Sequence, residues 1–412
     1  MSNSEKMLVA LEQQDLKKAN QYLEKALRED ESSLLLELAE YLESIGFLQD
    51  AKRIYLALRE DYPHVAINLA QIAAEDGAIE EAFLYLEGIP EDSDDYVTAL
   101  VVMADLYDME GLDDVAHDKL VLAHSISDDP LITLGLAELE LGLGRFEEAL
   151  KHYASLDNRM ILEQTGISTY QRIGRIYASL GKFEAAAEFL EKSVEIAYDD
   201  QTVFELATLL YDMTEYQKAA LYFKQLDTIN PDFAGYEYPY ALTLRQEHQL
   251  KEALRLVQQG LGKNSFDGQL LLLASQLSYE NHDSQAAERY LLKAKELVED
   301  DEEVLMRLTN LYLEQERYEE VVALDKEGID NVLTKWNIAR SYRALEEEDK
   351  AYELYQDVAK DLADNPDFLK DYAYLLHAYG YQDKARELAE RYLTYVADDM
   401  EMHDFVSYLR KE

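Results

Sequence analysis

Gly144-Arg145-Phe146-Glu147-Glu148-Ala149-Leu150, Gly181-Lys182-Phe183-Glu184-Ala185-Ala186 and Gly380-Tyr381-Gln382-Asp383-Lys384-Ala385 share one pattern, a turn residue five positions ahead of an alanine. Outward from these stretches the alanine recurs at Ala19, Ala51, Ala82, Ala116, Ala149, Ala186, Ala219, Ala253, Ala287, Ala351 and Ala385, with Val321 as the one substitution. Most intervals are 33 or 34 residues, and the extremes are 30 and 37. Such a period marks a tandem helical repeat, and it runs through nearly all 412 residues, leaving no room for a separate catalytic domain.

The spacing resembles that of tetratricopeptide repeats, in which each unit is a helix, a short turn and a second helix. The clearest unit runs from Ile167 to Asp200, with Tyr170 as the first aromatic, Ile173-Gly174 for the Leu-Gly pair, then Tyr177, Gly181, Ala186 and Tyr198-Asp199-Asp200. It departs from the family in two respects: the closing proline survives only as Pro63 and Pro231, and no unit begins with Trp at the family position. The resemblance extends to the cytosolic tetratricopeptide proteins of low-GC Gram-positive bacteria. It implies an all-α fold, a right-handed helical-repeat solenoid with a C-terminal capping helix. About twelve units are expected over 1–398, with irregular turns near 157–166 and 234–240, and the cap over 399–412.

Packing explains the pattern. One helical pair cannot bury both of its apolar stripes alone, so neighbours stack. Small residues are expected where helices cross closely: Ala39, Ala70, Ala104, Ala137 and Gly174 on first helices, and the alanine series on second helices. The turn ahead of the second helix calls for a positive φ, which glycine adopts freely. In later units Thr214, His248, His282, Glu316 and Glu346 take that place. Ser2 and Glu5 have capping-box spacing for a helix that starts almost at once. Pro239 makes its helix start late or bend, and Met402, Phe405, Val406 and Leu409 form the stripe of the cap. Helix is expected in roughly 70% of residues or more, with no β-sheet.

The chain carries 39 Lys and Arg against 85 Asp and Glu, a net charge of −46. That field disfavours nucleic acid and anionic membrane surfaces and favours basic partners. With no cysteine, disulfides and thiolate metal sites are ruled out. The amino terminus does not read as a signal peptide, and no stretch approaches the roughly 18 apolar residues of a membrane span, so a cytoplasmic location is expected. GxxxxGK[ST], GxGxxG, GxSxG and HExxH motifs do not occur, and no two histidines stand four apart. His248 and His282 replace turn glycines rather than form a metal site. Acidic runs such as Glu91–Asp95 and Glu299–Glu303 read as inter-repeat turns, without the glycine and final glutamate of an EF-hand. No enzyme activity, catalytic residue, metal or cofactor is expected.

The resemblance implies that first helices line a concave groove that takes an extended peptide or a partner's helix. In the second to fifth units the groove positions carry Glu37, Glu40, Glu43, Glu75, Asp105, Asp108 and Glu138 without a Lys or Arg. From the sixth unit on they carry Arg172, Arg175, Arg245, Arg307, Arg340, Arg343 and Lys370, offset by acids including Glu205, Asp212 and Glu280. The aromatic side chains among them are Phe204, Tyr211, Tyr238, Tyr279, Trp336 and Tyr374. Aromatics and arginines are the commonest binding anchors. The expected partner-binding set is therefore Arg172, Arg175, Phe204, Tyr211, Tyr238, Arg245, Tyr279, Trp336, Arg340, Arg343 and Tyr374. Trp336, Arg340 and Arg343 are spaced i, i+4, i+7 and could hold an apolar and an acidic group together. The competing reading makes Trp336 core. The Lys and Asn pattern of the family's chaperone-tail clamp is missing from every trio of units. A protein-binding scaffold or adaptor follows, with a protein or peptide partner and no nucleic acid or membrane. The alternative is a structural role by self-association, as a homodimer, through end repeats or the convex face.

Overall fold

The computed structural model describes residues 1–297, 301–325 and 328–410. Glu299 and Asp300 of the second acidic run, and the last two residues of the expected cap, lie outside them. Helix accounts for 76% of the described residues, which contain no strand.

The contacts divide the chain into two compact units, Met1–Thr202 and Val203–Glu412. The first holds α1 (Asn3–Glu12), α2 (Leu16–Glu29), α3 (Ser32–Ser44), α4 (Leu48–Leu58), α5 (Val65–Glu75), α6 (Ile79–Glu87), α7 (Tyr96–Met109), α8 (Asp113–Ile126), α9 (Pro130–Gly142), α10 (Phe146–Ser155), α11 (Asn158–Thr165), α12 (Thr169–Ser179) and α13 (Phe183–Ile196). Helix α14 (Asp200–Asp212) begins at the end of that unit. The second continues with α15 (Tyr216–Ile229), α16 (Glu237–Gln246), α17 (Leu250–Lys263), α18 (Gly268–Glu280), α19 (Ser284–Lys295), α20 (Glu302–Glu314), α21 (Tyr318–Val322), α22 (Val332–Ala344), α23 (Glu348–Val358), α24 (Pro366–Ala378), α25 (Gln382–Tyr395) and α26 (Met400–Leu409).

The repeat pattern becomes paired helices because each recurrent residue has a fixed task. Ser2 and Glu5 form the capping box of α1: the Ser2 hydroxyl accepts from the Glu5 amide, and the Glu5 carboxylate accepts from the Ser2 amide at 2.7 Å. The series alanines are fully buried at Ala51, Ala82, Ala116, Ala149, Ala186, Ala219, Ala253, Ala351 and Ala385. At Gly174 even a methyl group would stand 2.8 Å from the Leu190 side chain and 3.2 Å from the Ala186 carbonyl, so α12 and α13 touch backbone to side chain there. Ala186→Leu inserts bulk at this crossing and is expected to lower stability by about 1 to 3 kcal/mol. Thermal unfolding unchanged by the substitution would remove Ala186 from the contact.

The turns behave alike whatever residue occupies them. His248 (φ 58°) and His282 (φ 62°) are left-handed, as is Gly144 (φ 71°), so both histidines stand in for turn glycine. Each such turn closes through a bond from the next amide back to the helix, at 2.8 Å for both Arg145 to Glu140 and Gln249 to Leu244.

Two irregularities have concrete forms. The long interval between Ala149 and Ala186 was expected to be an irregular turn, but it holds a helix of its own, α11. Asp157 caps it by accepting from the Arg159 and Met160 amides, and Gly166 ends it at φ 75°. The expectation missed that α10, with 10 residues, is shorter than the 14-residue α13, so a small surplus hides a second short helix. Asn158, buried on α11, accepts bonds from Ser168, Thr169 and Tyr170 and so fixes the start of α12. The second irregularity is α16, which starts late at Glu237 and places Pro239 in its first turn, where a missing N–H costs nothing. At the carboxyl end α26 buries Met402, Val406 and Leu409.

Candidate functional site

A cleft of about 800 Å³ in the first unit is bounded by α7, α8 and α9. Its start is well defined, because Asp129 caps α9 by accepting from the Leu131 amide at 2.8 Å and Pro130 follows at the first helical position. Val97, Val101 and Leu131 supply apolar wall, and Ala116 and Leu120 of α8 form the floor. Asp105 and Asp108, one turn apart on α7, join Asp113, Asp129 and Glu138 as its charged groups, and no Lys or Arg lines it.

These carboxylates are not equivalent. Glu138 accepts from the Tyr153 hydroxyl at 2.7 Å and from Arg172 Nε at 2.8 Å, so it belongs to the framework. Asp129 is spent on the helix cap. Among the described residues no cation pairs with Asp105 or Asp108. Asp105 keeps solvent contact, yet the surrounding protein desolvates it and Asp108 repels it, so its pKa is pushed above the ordinary carboxylate value. Elsewhere in the acidic series Glu37, Glu40 and Glu75 are exposed. Glu43 accepts from buried Tyr55 at 2.5 Å and from Asn68 at 3.0 Å, and burial with this bond raises the Tyr55 pKa.

The arginines and aromatics expected to bind a partner are mostly engaged within the chain. Arg172 meets Glu138, and Arg175 is half-buried on α12. Phe204 packs against Phe223 and Phe233, and Tyr211 against Tyr216. Tyr238 is half-buried in the first turn of α16. Arg245 grips Glu280 with three bonds of 2.7 to 3.0 Å. Tyr279 is 45% exposed and donates to Glu314 at 2.6 Å. Tyr374 lies on Phe405 and donates to Glu401 at 3.0 Å.

Trp336, Arg340 and Arg343 do converge on a carboxylate, but it is the chain's own Asp371. The Trp336 indole N–H donates to Asp371 Oδ2 at 3.1 Å, Arg343 reaches Oδ1 at 2.7 Å, and Arg340 stands 3.7 Å away over the indole ring. Tyr355, fully buried, also donates to Asp371. Trp336 is only 9% exposed and packs on Phe368, so the core reading of it is the correct one. The physical reason is that the next repeat covers the helical face on which the three residues lie. A recess of about 500 Å³ remains beside them, where Arg340 and Lys370 face Asp367 and Asp371 in near balance.

One constellation escaped the sequence reading. Glu140 is 2% exposed and sits between His117 Nε2 at 3.3 Å and His152 Nδ1 at 2.7 Å, with the His124 ring 5.7 Å from that of His152. Local motifs cannot show it, since the histidines come from α8 and α10. The repeat frame could have: three residues after the small crossing residue the other units of this half carry Leu42, Ala73, Tyr107 and Tyr177, and Glu140 alone is charged. Among the described residues no group of three His, Asp or Glu side chains has the arrangement of a metal site, and no helix is long and apolar enough to cross a membrane.

Four family models match parts of the chain. They are the tetratricopeptide repeat protein 21 ARM repeat over residues 3–115, YpiA-like tetratricopeptide repeats over 108–160, a tetratricopeptide repeat over 167–200, and YpiA-like C-terminal tetratricopeptide repeats over 333–399. The TPR repeat-containing protein YpiA of Bacillus subtilis is 26% identical over 397 residues, which cover 94% of this chain and 93% of that protein. Among solved structures, YrrB, described as a TPR protein with an unusual peptide-binding site, is 18% identical and aligns with 48% of this chain and 97% of its own at a TM-score of 0.39. The Cut9-Hcn1 hetero-tetramer structure aligns with 98% of this chain and 95% of its own at 14% identity and a TM-score of 0.38.

Proposed function

We propose, from the premise that this chain is a tetratricopeptide-repeat protein, that it is a non-catalytic scaffold or adaptor whose first-helix groove holds a segment of a protein partner. The fold is one built for protein interaction. The observation that carries the groove reading is the α7–α9 cleft: it is large enough for several side chains, it has apolar lining, and its carboxylates Asp105 and Asp108 meet no cation among the described residues. Large concave openings with a few convergent polar groups are the usual form of a binding site. The carboxyl-terminal arginines and aromatics support the reading less, because Glu280, Glu314, Asp371 and Glu401 already occupy their polar ends. A cytoplasmic location fits this role.

A photo-crosslinking amino acid at Thr98, an exposed residue of the cleft, tests the reading in the native cytosol. The same group at Leu84, which is 67% exposed on α6 and outside the cleft, is the control. A partner adduct from position 98 and none from 84 supports groove binding. Adducts with a second copy of the chain would favour the self-association alternative, and adducts from 84 alone would overturn the groove.

A further inference from the structure

The cleft has a chemical sign and a shape, and the two point to one class of occupant. Two residues before the small crossing position, the helices of the first unit carry Glu37, Asn68, Val102 and Arg172, whereas α9 carries Gly135. The missing side chain leaves a notch: a methyl group built on Gly135 would meet only the Leu120 side chain, at 3.9 Å. Asp105 and Asp108 of α7 line the same cleft, with no cation among the lining residues. An apolar hole beside two uncompensated carboxylates is complementary to a basic segment with one bulky apolar side chain.

We propose that the α7–α9 cleft takes a lysine- or arginine-bearing peptide segment of a partner protein, its cations meeting Asp105 and Asp108 and one large apolar side chain entering the notch at Gly135 over Leu120. This deepens the groove reading and rests on it. Charge complementarity selects the occupant, since an acidic segment would add repulsion to a site that already disfavours its own charge. The raised pKa of Asp105 reports the same fact from inside the protein. An arriving cation relieves that repulsion and holds the carboxylate ionised.

The test uses the full chain and three short fluorescein-labelled peptides: one leucine between lysines, the same peptide with alanine for leucine, and a counterpart with glutamates for lysines. Fluorescence anisotropy should show binding of the lysine–leucine peptide, weakened by added salt, and none of the glutamate peptide. Asp105→Asn with Asp108→Asn should weaken the lysine–leucine peptide by about tenfold or more. Gly135→Leu should abolish the advantage of leucine over alanine while leaving the helix intact, because leucine is a better helix former than glycine. Circular dichroism confirms that both variants are folded. Equal binding of lysine and glutamate peptides, or an unchanged affinity in the Asp105/Asp108 double variant, overturns the proposal. If the glutamate peptide binds and Gly135→Leu blocks it, the charge class falls while the groove reading survives. If no peptide responds to Gly135→Leu and position 98 yields no partner adduct, both fall.

Discussion

Replacing Asp371 with alanine is expected to lower the stability of the Val203–Glu412 unit by about 2 to 4 kcal/mol. The carboxylate accepts from Arg343, from the Trp336 indole and from Tyr355 at once. Removal leaves the Tyr355 hydroxyl and the indole N–H buried without an acceptor, and buried donors without partners cost about 1 to 3 kcal/mol each. Asp371 is itself only 23% exposed, so water repairs the loss in part. Asp371→Asn keeps an acceptor for the aromatic donors and should cost less. Denaturant unfolding of the full chain followed by Trp336 fluorescence reads the effect directly, since Trp336 is the single tryptophan. A midpoint that does not move would mean that the carboxylate serves only solvent-exposed charges.

The second large effect is Trp336→Ala. The indole packs on Phe368 in a cluster with Ala339, Tyr355, Val358 and Tyr372, and truncation of a buried aromatic leaves a cavity worth about 3 to 5 kcal/mol. Arg340→Ala, by contrast, removes a 44% exposed guanidinium at 3.7 Å from its acid and should cost under about 1 kcal/mol. Calorimetric melting of the two variants distinguishes a core tryptophan from an exposed ligand anchor. A melting temperature lowered equally by both, or by neither, would return Trp336 to the list of surface anchors.

The repeat was legible from sequence because close helix crossings leave few choices: Ala149 and Ala186 are small and fully buried, and at Gly174 even a methyl group would strike Leu190. Side chains that reach the next repeat were not legible in the same way. Trp336, Arg340 and Arg343 share one face as the spacing implied, but the carboxylate they meet is the chain's own Asp371 rather than a partner's. Asp371, 35 residues after Trp336, closes that face, and only the stacking of α22 against α24 brings the two together. The same offset joins Tyr279 to Glu314 and Arg245 to Glu280. The acidic cleft was half visible: Asp105 and Asp108 stood out as charges, whereas the notch is an absence at Gly135 that matters only once Leu120 lies beneath it. Glu140 was missed because a charge in a core position looks ordinary in a chain so rich in acid.

The turns carry a further consequence. Gln14, Thr214, His248, His282, Glu316 and Glu346 hold φ between 57° and 62°, in a region where a side chain costs roughly 1 to 2 kcal/mol relative to glycine. Five of these six stand in the Val203–Glu412 unit, while glycine fills the matching turns at Gly46, Gly77, Gly111, Gly144 and Gly181. Resistance to local opening should therefore differ between the two kinds of turn, and protease access and solvent proton exchange should begin at the turns without glycine. Matched amides make this measurable: Phe47 and Leu112 follow glycine turns, Gln249 and Asp283 follow histidine turns, and all four donate back to their helices at 2.8 or 2.9 Å. With bond lengths equal, faster deuterium uptake at Gln249 and Asp283 would come from the backbone conformation alone, and equal uptake would show that the histidine turns store no strain.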